Sequence, residues 1–365
     1  MITDEQLIRY RTIAASCSHR LFGHPPLSME QQLAAMMEEA RAFPRPDVYG
    51  KGELIESLEV EMANLLGQEA AVFLPSGTMA QCIALRIWSD RAGKSAVGFH
   101  ATSHLELHEF KAYQELHNLS GVILGEADRV VTLADLEAVK EPLAAVLLEL
   151  PMREIGGQLP AWAELQAQAD WLREQGIALH IDGARLWQCT TYYERSVAEI
   201  AGLADSVYVS FYKDIGGIAG SVLAGPAWFV AEARIWIRRS GGNLFSLFPY
   251  VLAARAGLKR NLAALPAAVK SAAWLAEFLN GIDGLKTVPL LPPTNLFHLQ
   301  VDVEPQRLLA HACDWSERHG AVLLPPPRPG LDGGCFFELS LGRAVEAASR
   351  ETWEAWLTDF FAGLG

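Results

Sequence analysis

Between about residues 50 and 240, short runs that are apolar at every position alternate with segments of helical periodicity. Ala70–Leu74 is such a run, stopped by Pro75, and Thr78–Trp88 follows with apolar residues at helical spacing, including Met79, Ile83, Leu85 and Ile87. Ala144–Leu148 is a second run. Trp162–Gln175 reads as an amphipathic helix ended by Gly176, and Ile177–Ile181 as a strand stopping at Asp182. Ser206–Ser210 and Ser221–Ala224 are two further strands. Apolar strands separated by helices imply a mainly parallel sheet covered on both faces. After Gly241-Gly242 the pattern changes to two Ala-rich helices, Tyr250–Leu262 and Val269–Leu279, then a proline joint at Pro292-Pro293. Short runs at Leu296–Leu299, Ala321–Leu324 and Cys335–Leu339, a helix over Pro305–His319 and a last helix over Val345–Phe361 predict a small α+β domain. The expected division is a large α/β domain with an N-terminal arm over 1–248 and a small domain over 249–365. Pro325-Pro326-Pro327 and Asp332-Gly333-Gly334 read as loops.

Composition narrows the class. The chain has 365 residues, half of them apolar, with a formal net charge of −13. That length suits a large domain plus a smaller one. An acidic surface repels phosphate backbones and anionic lipids, which argues against nucleic-acid and membrane partners. The segment Met1–Tyr10 has no apolar core, so no signal peptide is expected, and no run reaches the ~18 uninterrupted apolar residues of a membrane span. The five cysteines are widely spaced without a CxxC pair, which predicts neither a metal site nor a disulfide framework and suits a reducing cytoplasm.

Three features fall where ligands gather in open α/β sheets, at the carboxyl ends of strands. Ser76-Gly77-Thr78 opens a helix; as a plain N-cap it would be unremarkable, and as a phosphate cradle it would use the helix N–H groups. Asp182, in Asp182-Gly183-Ala184-Arg185, either caps the next turn or faces a cationic ring nitrogen. Lys213 lies in Ser210-Phe211-Tyr212-Lys213-Asp214-Ile215-Gly216-Gly217, an apolar, glycine-rich stretch. It is either a snorkelling surface lysine or a desolvated amine able to form an imine. A phosphate loop, then an aspartate, then a lysine some thirty residues later is the order found in pyridoxal-phosphate (PLP) enzymes of the aspartate-aminotransferase fold.

Four strings make the likeness specific: Asp47-Val48-Tyr49-Gly50, Pro75-Ser76-Gly77-Thr78-Met79, His180-Ile181-Asp182-Gly183-Ala184-Arg185-Leu186-Trp187 and Gly220-Ser221-Val222-Leu223-Ala224-Gly225. Through them the chain resembles the threonine aldolase and aromatic β-eliminating lyase group, from about residue 45 to 250 and more faintly beyond. The resemblance implies fold type I with PLP as cofactor. Lys213 would hold PLP as a Schiff base, Ser76, Gly77 and Thr78 its phosphate, and Asp182 its pyridine nitrogen. Arg185 would contact the ring's 3-oxygen or the substrate carboxylate. Ser210 would add a phosphate contact, although the family's serine directly precedes its lysine, where this chain has Tyr212. His104 matches the histidine that stacks on the ring and could also act as acid or base.

Departures accompany the likeness. The family's histidine that contacts the β-hydroxyl falls in Leu150-Pro151-Met152-Arg153-Glu154, and Met152 offers no strong hydrogen bond. The family's carboxylate-binding arginine falls near Glu338, leaving Arg343, Arg153, Arg239 and Arg20 as candidates. The implied reaction is cleavage of the Cα–Cβ bond of a β-hydroxy-α-amino acid to glycine and an aldehyde. A β-eliminating lyase and a catalytically idle PLP-fold protein are the rivals. The resemblance also implies a homodimer or homotetramer with the site at a dimer face, to which Tyr49 would contribute from the neighbouring subunit.

Overall fold

The computed structural model describes residues 2–330 and 334–364; Asp332 and Gly333 of the expected 332–334 loop lie outside them. The chain separates into two compact units. The larger comprises Leu27–Glu154 and Leu159–Ala263, and the smaller Met1–Pro26, Ile155–Gln158 and Ala264–Gly365. The division therefore departs from the expected joint at 248/249. The helix Phe248–Asn261 packs on helices Met29–Ala40 and Glu53–Leu65 and so belongs to the larger unit. The N-terminal arm joins the smaller unit because strand β1 (His19–Arg20) pairs in parallel with Ala321–Val322.

The larger unit is built on a seven-stranded sheet. Its strands are β2 (Ala70–Leu74), β3 (Ala96–His100), β4 (Ser120–Leu124), β5 (Ala145–Glu149), β6 (Ala178–Asp182), β7 (Ser206–Ser210) and β8 (Ser221–Gly225). Their order is β2-β8-β7-β6-β5-β3-β4, and β8 alone runs antiparallel to its neighbours. β7 and β8 are buried at every residue, as strands covered on both faces must be. β4 closes one edge and is exposed over much of its length. β3 and β4 are additions to the strands predicted from the sequence. Each carries a glycine where bulk is excluded: a Cβ on Gly121 would lie 2.6 Å from the Phe99 ring.

A chain of polar groups crosses the core beneath the sheet. Trp88 Nε1 donates to Ser206 Oγ at 2.8 Å, Ser206 Oγ meets His180 Nδ1 at 2.8 Å, and His180 Nε2 meets Gln81 Oε1 at 2.7 Å. Indole N–H can only donate and the amide oxygen can only accept. The network therefore assigns His180 the neutral form with its proton on Nε2. Gln81 and Trp88 reach it from one face of the helix Gly77–Ala92, being seven residues apart. Burial holds the His180 imidazolium down to a pKa of about 3.

The smaller unit holds a four-stranded sheet of β9 (Leu285–Val288), β10 (Leu296–Val301), β12 (Arg328–Pro329) and β13 (Cys335–Ser340), with β11 (Ala321–Val322) paired to β1. All pairings in this four-stranded sheet are antiparallel, matching the α+β expectation. The helix Pro305–His319 has the predicted bounds. The last helix begins later than expected, at Arg350, after a 3-10 turn over Arg343–Ala347. Gly156 and Gly157 let the 155–158 segment dock: a Cβ on Gly156 would lie 1.9 Å from Val288 O, and both adopt positive φ. The stretch 248–280 is long and apolar enough to cross a membrane by composition. It is broken by a 3-10 turn at Leu262–Ala264, carries Arg255, Lys259 and Arg260, and buries apolar residues of both helices within the protein. All five cysteines are unpaired.

The lowered pKa of His180 has a sign for stability. An unfolded histidine protonates near its ordinary value of 6.5, whereas the folded one resists until about 3. The unfolded state thus binds more protons between these values, and stability is lost as pH falls through that window. Between pH 7 and pH 5 the loss amounts to about 2 kcal/mol. In His180→Gln the drop in melting temperature between pH 7 and pH 5 is expected to be smaller than in the wild type; equal drops would contradict a neutral buried imidazole.

Candidate active site

β5, β6 and β7 end side by side, and their carboxyl ends deliver a cluster of charged side chains. Glu149 and Asp182 are the last residues of β5 and β6 and are paired in register. Neighbouring residues of parallel strands present side chains on the same face, about 4.8 Å apart. Asp182 is 4% exposed, and its Oδ1 accepts the Ala184 N–H at 3.0 Å. Arg185, half-buried, follows in the turn after β6. Lys213 follows β7 in a loop closed by several bonds. Phe211 O accepts the Gly217 N–H at 2.7 Å, and Lys213 O accepts the Gly216 N–H at 3.0 Å. Gln188 Nε2 donates to both carboxylate oxygens of buried Asp214 at 2.9 Å, and Asn261 Nδ2 donates to Ile215 O at 2.9 Å. These bonds fix the backbone of the loop from which the half-buried Lys213 side chain extends.

The charges alter one another. Burial lowers the Lys213 pKa, and Arg185 lowers it further, against the opposing pull of Asp182 and Glu149. A larger fraction of its amine is therefore neutral near physiological pH, the form that attacks a carbonyl. Burial, then the like charge of Asp182, push the Glu149 carboxyl up to about 7, while the Arg153 N–H donates to its Oε1 at 3.1 Å. Glu149 was not among the residues singled out from the sequence. Its signal was the one used for Asp182, a carboxylate closing an apolar run.

A second focus lies at the start of the helix Gly77–Ala92. Ser76 is its extended N-cap and makes no side-chain capping bond, which leaves Ser76, Gly77 and Thr78 as a helix N-terminus of the kind that binds anions. A Cβ at Gly77 would lie 2.1 Å from Tyr208 Oη and 3.1 Å from Tyr212 Oη. Both tyrosine hydroxyls point at this glycine, and burial raises the Tyr208 pKa well above its ordinary value. Ser210, fully buried at the end of β7, has an Oγ without a hydrogen-bond partner among the described residues. Tyr208 and Tyr212 are thus part of this focus, although sequence reasoning treated Tyr212 only as a departure.

A third group surrounds His104, in the short helix His104–Leu107. His104 Nδ1 meets Glu109 Oε1 at 2.8 Å, and the Glu109 side chain is 2% exposed. The rings of His104 and His108 are 5.0 Å apart. His108 Nε2 meets Glu154 Oε1 at 2.8 Å, and Arg153 Nη1 donates to the same oxygen at 2.7 Å. Both histidines are consequently oriented by carboxylates and are not free surface residues. Met152, by contrast, is buried beside Glu149, His100 and Gln168 around a small cavity.

The remaining candidates lie elsewhere. Tyr49 occupies a turn at φ 50°, more than half exposed, with its ring edge-on to Phe245 at 5.4 Å. Buried Asp47 anchors that turn by accepting the Ser246 Oγ–H at 2.9 Å and the Leu247 N–H at 2.8 Å. Arg239 is exposed and sits 4.7 Å from the Trp236 ring centroid. Arg343 and Arg20 belong to the smaller unit, where the Arg343 N–H donates to His24 Nδ1 at 3.3 Å and Arg20 lies over Phe22. Of the arginine candidates, Arg185 and Arg153 take part in the charged cluster around Lys213 within the larger unit, and Arg343, Arg239 and Arg20 do not.

These residues fit PLP. Bare Gly77 at a helix N-terminus with hydroxyls about it suits a phosphate, a buried aspartate suits a pyridinium nitrogen, and a desolvated lysine suits an aldehyde. Comparison with known proteins agrees. The family model for β-eliminating lyases matches residues 28–302. The low-specificity L-threonine aldolase of Escherichia coli is 30% identical over 279 residues, covering 74% of this chain and 81% of that protein. A solved structure provisionally assigned as an L-allo-threonine aldolase of Listeria monocytogenes superposes with a TM-score of 0.91 at 40% identity, covering 97% of this chain and 99% of that one. Serine palmitoyltransferase of Sphingomonas wittichii, at 17% identity and a TM-score of 0.66 over 92% of this chain and 83% of that one, shares the fold. The chain therefore belongs to the β-eliminating lyase family and is a PLP-dependent lyase of fold type I.

Proposed function

We propose that the protein cleaves the Cα–Cβ bond of a β-hydroxy-α-amino acid, giving glycine and an aldehyde. The observation that carries this reading is the convergence of the bare helix N-terminus at Gly77, Asp182 and the desolvated Lys213 in one unit, in a chain 30% identical to a threonine aldolase. When bound, PLP supplies an electron sink for the charge left on Cα as the bond breaks.

The protein's own groups divide the remaining work. Lys213 Nζ is the covalent anchor of the cofactor. The N–H groups at Ser76, Gly77 and Thr78 hold the phosphate, helped by the Ser210, Tyr208 and Tyr212 hydroxyls. Asp182 faces the ring nitrogen and keeps it protonated. Arg185 contacts either the ring's 3-oxygen or the substrate carboxylate, and Arg153 is a further carboxylate candidate. His104 would lie against the cofactor ring; with Nδ1 turned toward Glu109, its Nε2 is left to receive the β-hydroxyl proton, directly or through water. The buried carboxylate fixes the ring's orientation, as a base needs.

Met152 favours a second reading, β-elimination to a keto acid and ammonia. It stands where the resembling family has a hydroxyl-binding histidine, and a thioether holds a hydroxyl poorly. The exposed apolar side chains Val48, Tyr49, Leu244, Phe245 and Phe248 support a homodimer or homotetramer with this region at the subunit face. Five unpaired cysteines suit a cytoplasmic location.

Three experiments test the assignment. With L-threonine, L-allo-threonine and phenylserine, the PLP-loaded protein is expected to release glycine and the matching aldehyde. Keto acid and ammonia would instead select β-elimination. Borohydride reduction followed by peptide mapping should place the cofactor on Lys213 and nowhere in Lys213→Ala; an adduct on another lysine would overturn the anchor. Gly77→Ala should weaken PLP binding to the apoprotein by about tenfold or more, since the methyl displaces the Tyr208 hydroxyl from the phosphate end. Unchanged affinity would remove Gly77 from the cradle.

A further inference from the structure

Glu149 is a partly buried carboxylate at the end of an otherwise buried strand, and the reading above has no use for it. As the last residue of β5 it is the register partner of Asp182, the last residue of β6. Its flanks are apolar: Leu147, Leu148, Leu150 and Met152 line the cavity beside it, with His100 and Gln168. The one backbone bond to its carboxylate comes from the Arg153 N–H. The other charges that act on it are Lys213 and Arg185, from the loops after β7 and β6, and Asp182 itself. Two adjacent carboxylates in such surroundings do not both ionise freely, and one retains a proton into the neutral range.

We propose that Glu149 is a positioning residue for the ring-nitrogen end of the site, sharing one proton with Asp182 and thereby setting the negative charge that Asp182 presents. This rests on the reading of Asp182 as the group facing the ring nitrogen. Protonated, Glu149 is an O–H donor that spreads the charge of its neighbour. Ionised, it adds a second negative charge near the ring nitrogen and the Lys213 nitrogen, and so favours a proton on each. Burial and the like charge of Asp182 lift Glu149 to about 7. The electronic state of the cofactor is then coupled to pH through Glu149.

The test needs Glu149→Gln, which keeps size and hydrogen bonding, and Asp182→Asn. In the apoprotein, pH-difference infrared spectra should contain a protonated-carboxyl band that titrates near neutrality. That band is absent from Glu149→Gln and moves down by about one pH unit or more in Asp182→Asn, where the like charge is gone. In the PLP-loaded protein, the pH midpoint of the visible absorption should fall by about one unit in Glu149→Gln, because the amide cannot supply the negative charge that keeps the Lys213 nitrogen protonated. Absence of the infrared band in the wild type, or a band indifferent to Asp182→Asn, would overturn the shared proton. An unmoved visible midpoint would overturn the effect on the cofactor. Failure of the underlying reading is recognised separately, as a cofactor adduct mapped to a lysine other than Lys213, and would remove this proposal with it.

Discussion

The constraint on which the site depends is the partial withdrawal of the Lys213 amine from water. An ammonium buried alone costs several kcal/mol, so the fold must either neutralise it or surround it with compensating charge. It does both. Burial and Arg185 push toward the neutral amine, while Asp182 and Glu149 pull toward the ammonium. Such a balance survives only if the backbone cannot relax away from it. The loop 211–217 is accordingly pinned by Gln188 on Asp214 and by Asn261 on Ile215, and a Cβ on Gly257 would meet Ile215 O at 2.4 Å. Mobility at Lys213 would let the amine reach water and recover its ordinary basicity.

The same rigidity separates the two ends of the site. At one end the helix Gly77–Ala92 begins without a side-chain cap, and the hydroxyls of Tyr208 and Tyr212 crowd Gly77. Its N–H groups and dipole favour an anion there. At the other end, carboxylates from β5 and β6 favour a cation. A ligand carrying a phosphate and a protonated nitrogen is oriented by these opposed fields before any specific bond is counted. The helix that supplies the anion end is itself fixed from below, through Gln81 and Trp88, by the neutral His180 network. Core polarity and site geometry are thus parts of one arrangement.

How much of this was legible in the sequence depended on whether the signal was local. β2 and β7 were read with their observed bounds because Ala70–Leu74 and Ser206–Ser210 are short apolar runs with clear stops. Helix Pro305–His319 was read because proline opens it and Gly320 closes it in the left-handed conformation. β3 and β4 escaped notice: each is interrupted by a glycine whose purpose, making room for Leu124 or Phe99, exists only in the folded sheet. The pairing of β1 with β11 spans some three hundred residues, and no local pattern could place the N-terminal arm in the smaller unit. At the site, Lys213, Asp182 and Ser76–Thr78 were legible from their order. Tyr208 was not, because its closeness to Gly77 arises across the sheet. Glu149 carried the same mark as Asp182 and was passed over because no motif surrounded it.

The segment 149–154 shows what a departure from a family pattern does physically. Met152 alone suggests that the site has lost a hydrogen-bonding group. Its neighbours change that conclusion. Glu149 is paired with Asp182, Met152 lines a small cavity beside it, and Glu154, held by Arg153, reaches His108. Polar function in this stretch is redistributed over Glu149, Arg153 and Glu154. An apolar Met152 is consistent with that redistribution, since low-polarity side chains beside Glu149 strengthen the electrostatic coupling between the two carboxylates. The methionine is therefore better understood together with Glu149 than as an isolated loss.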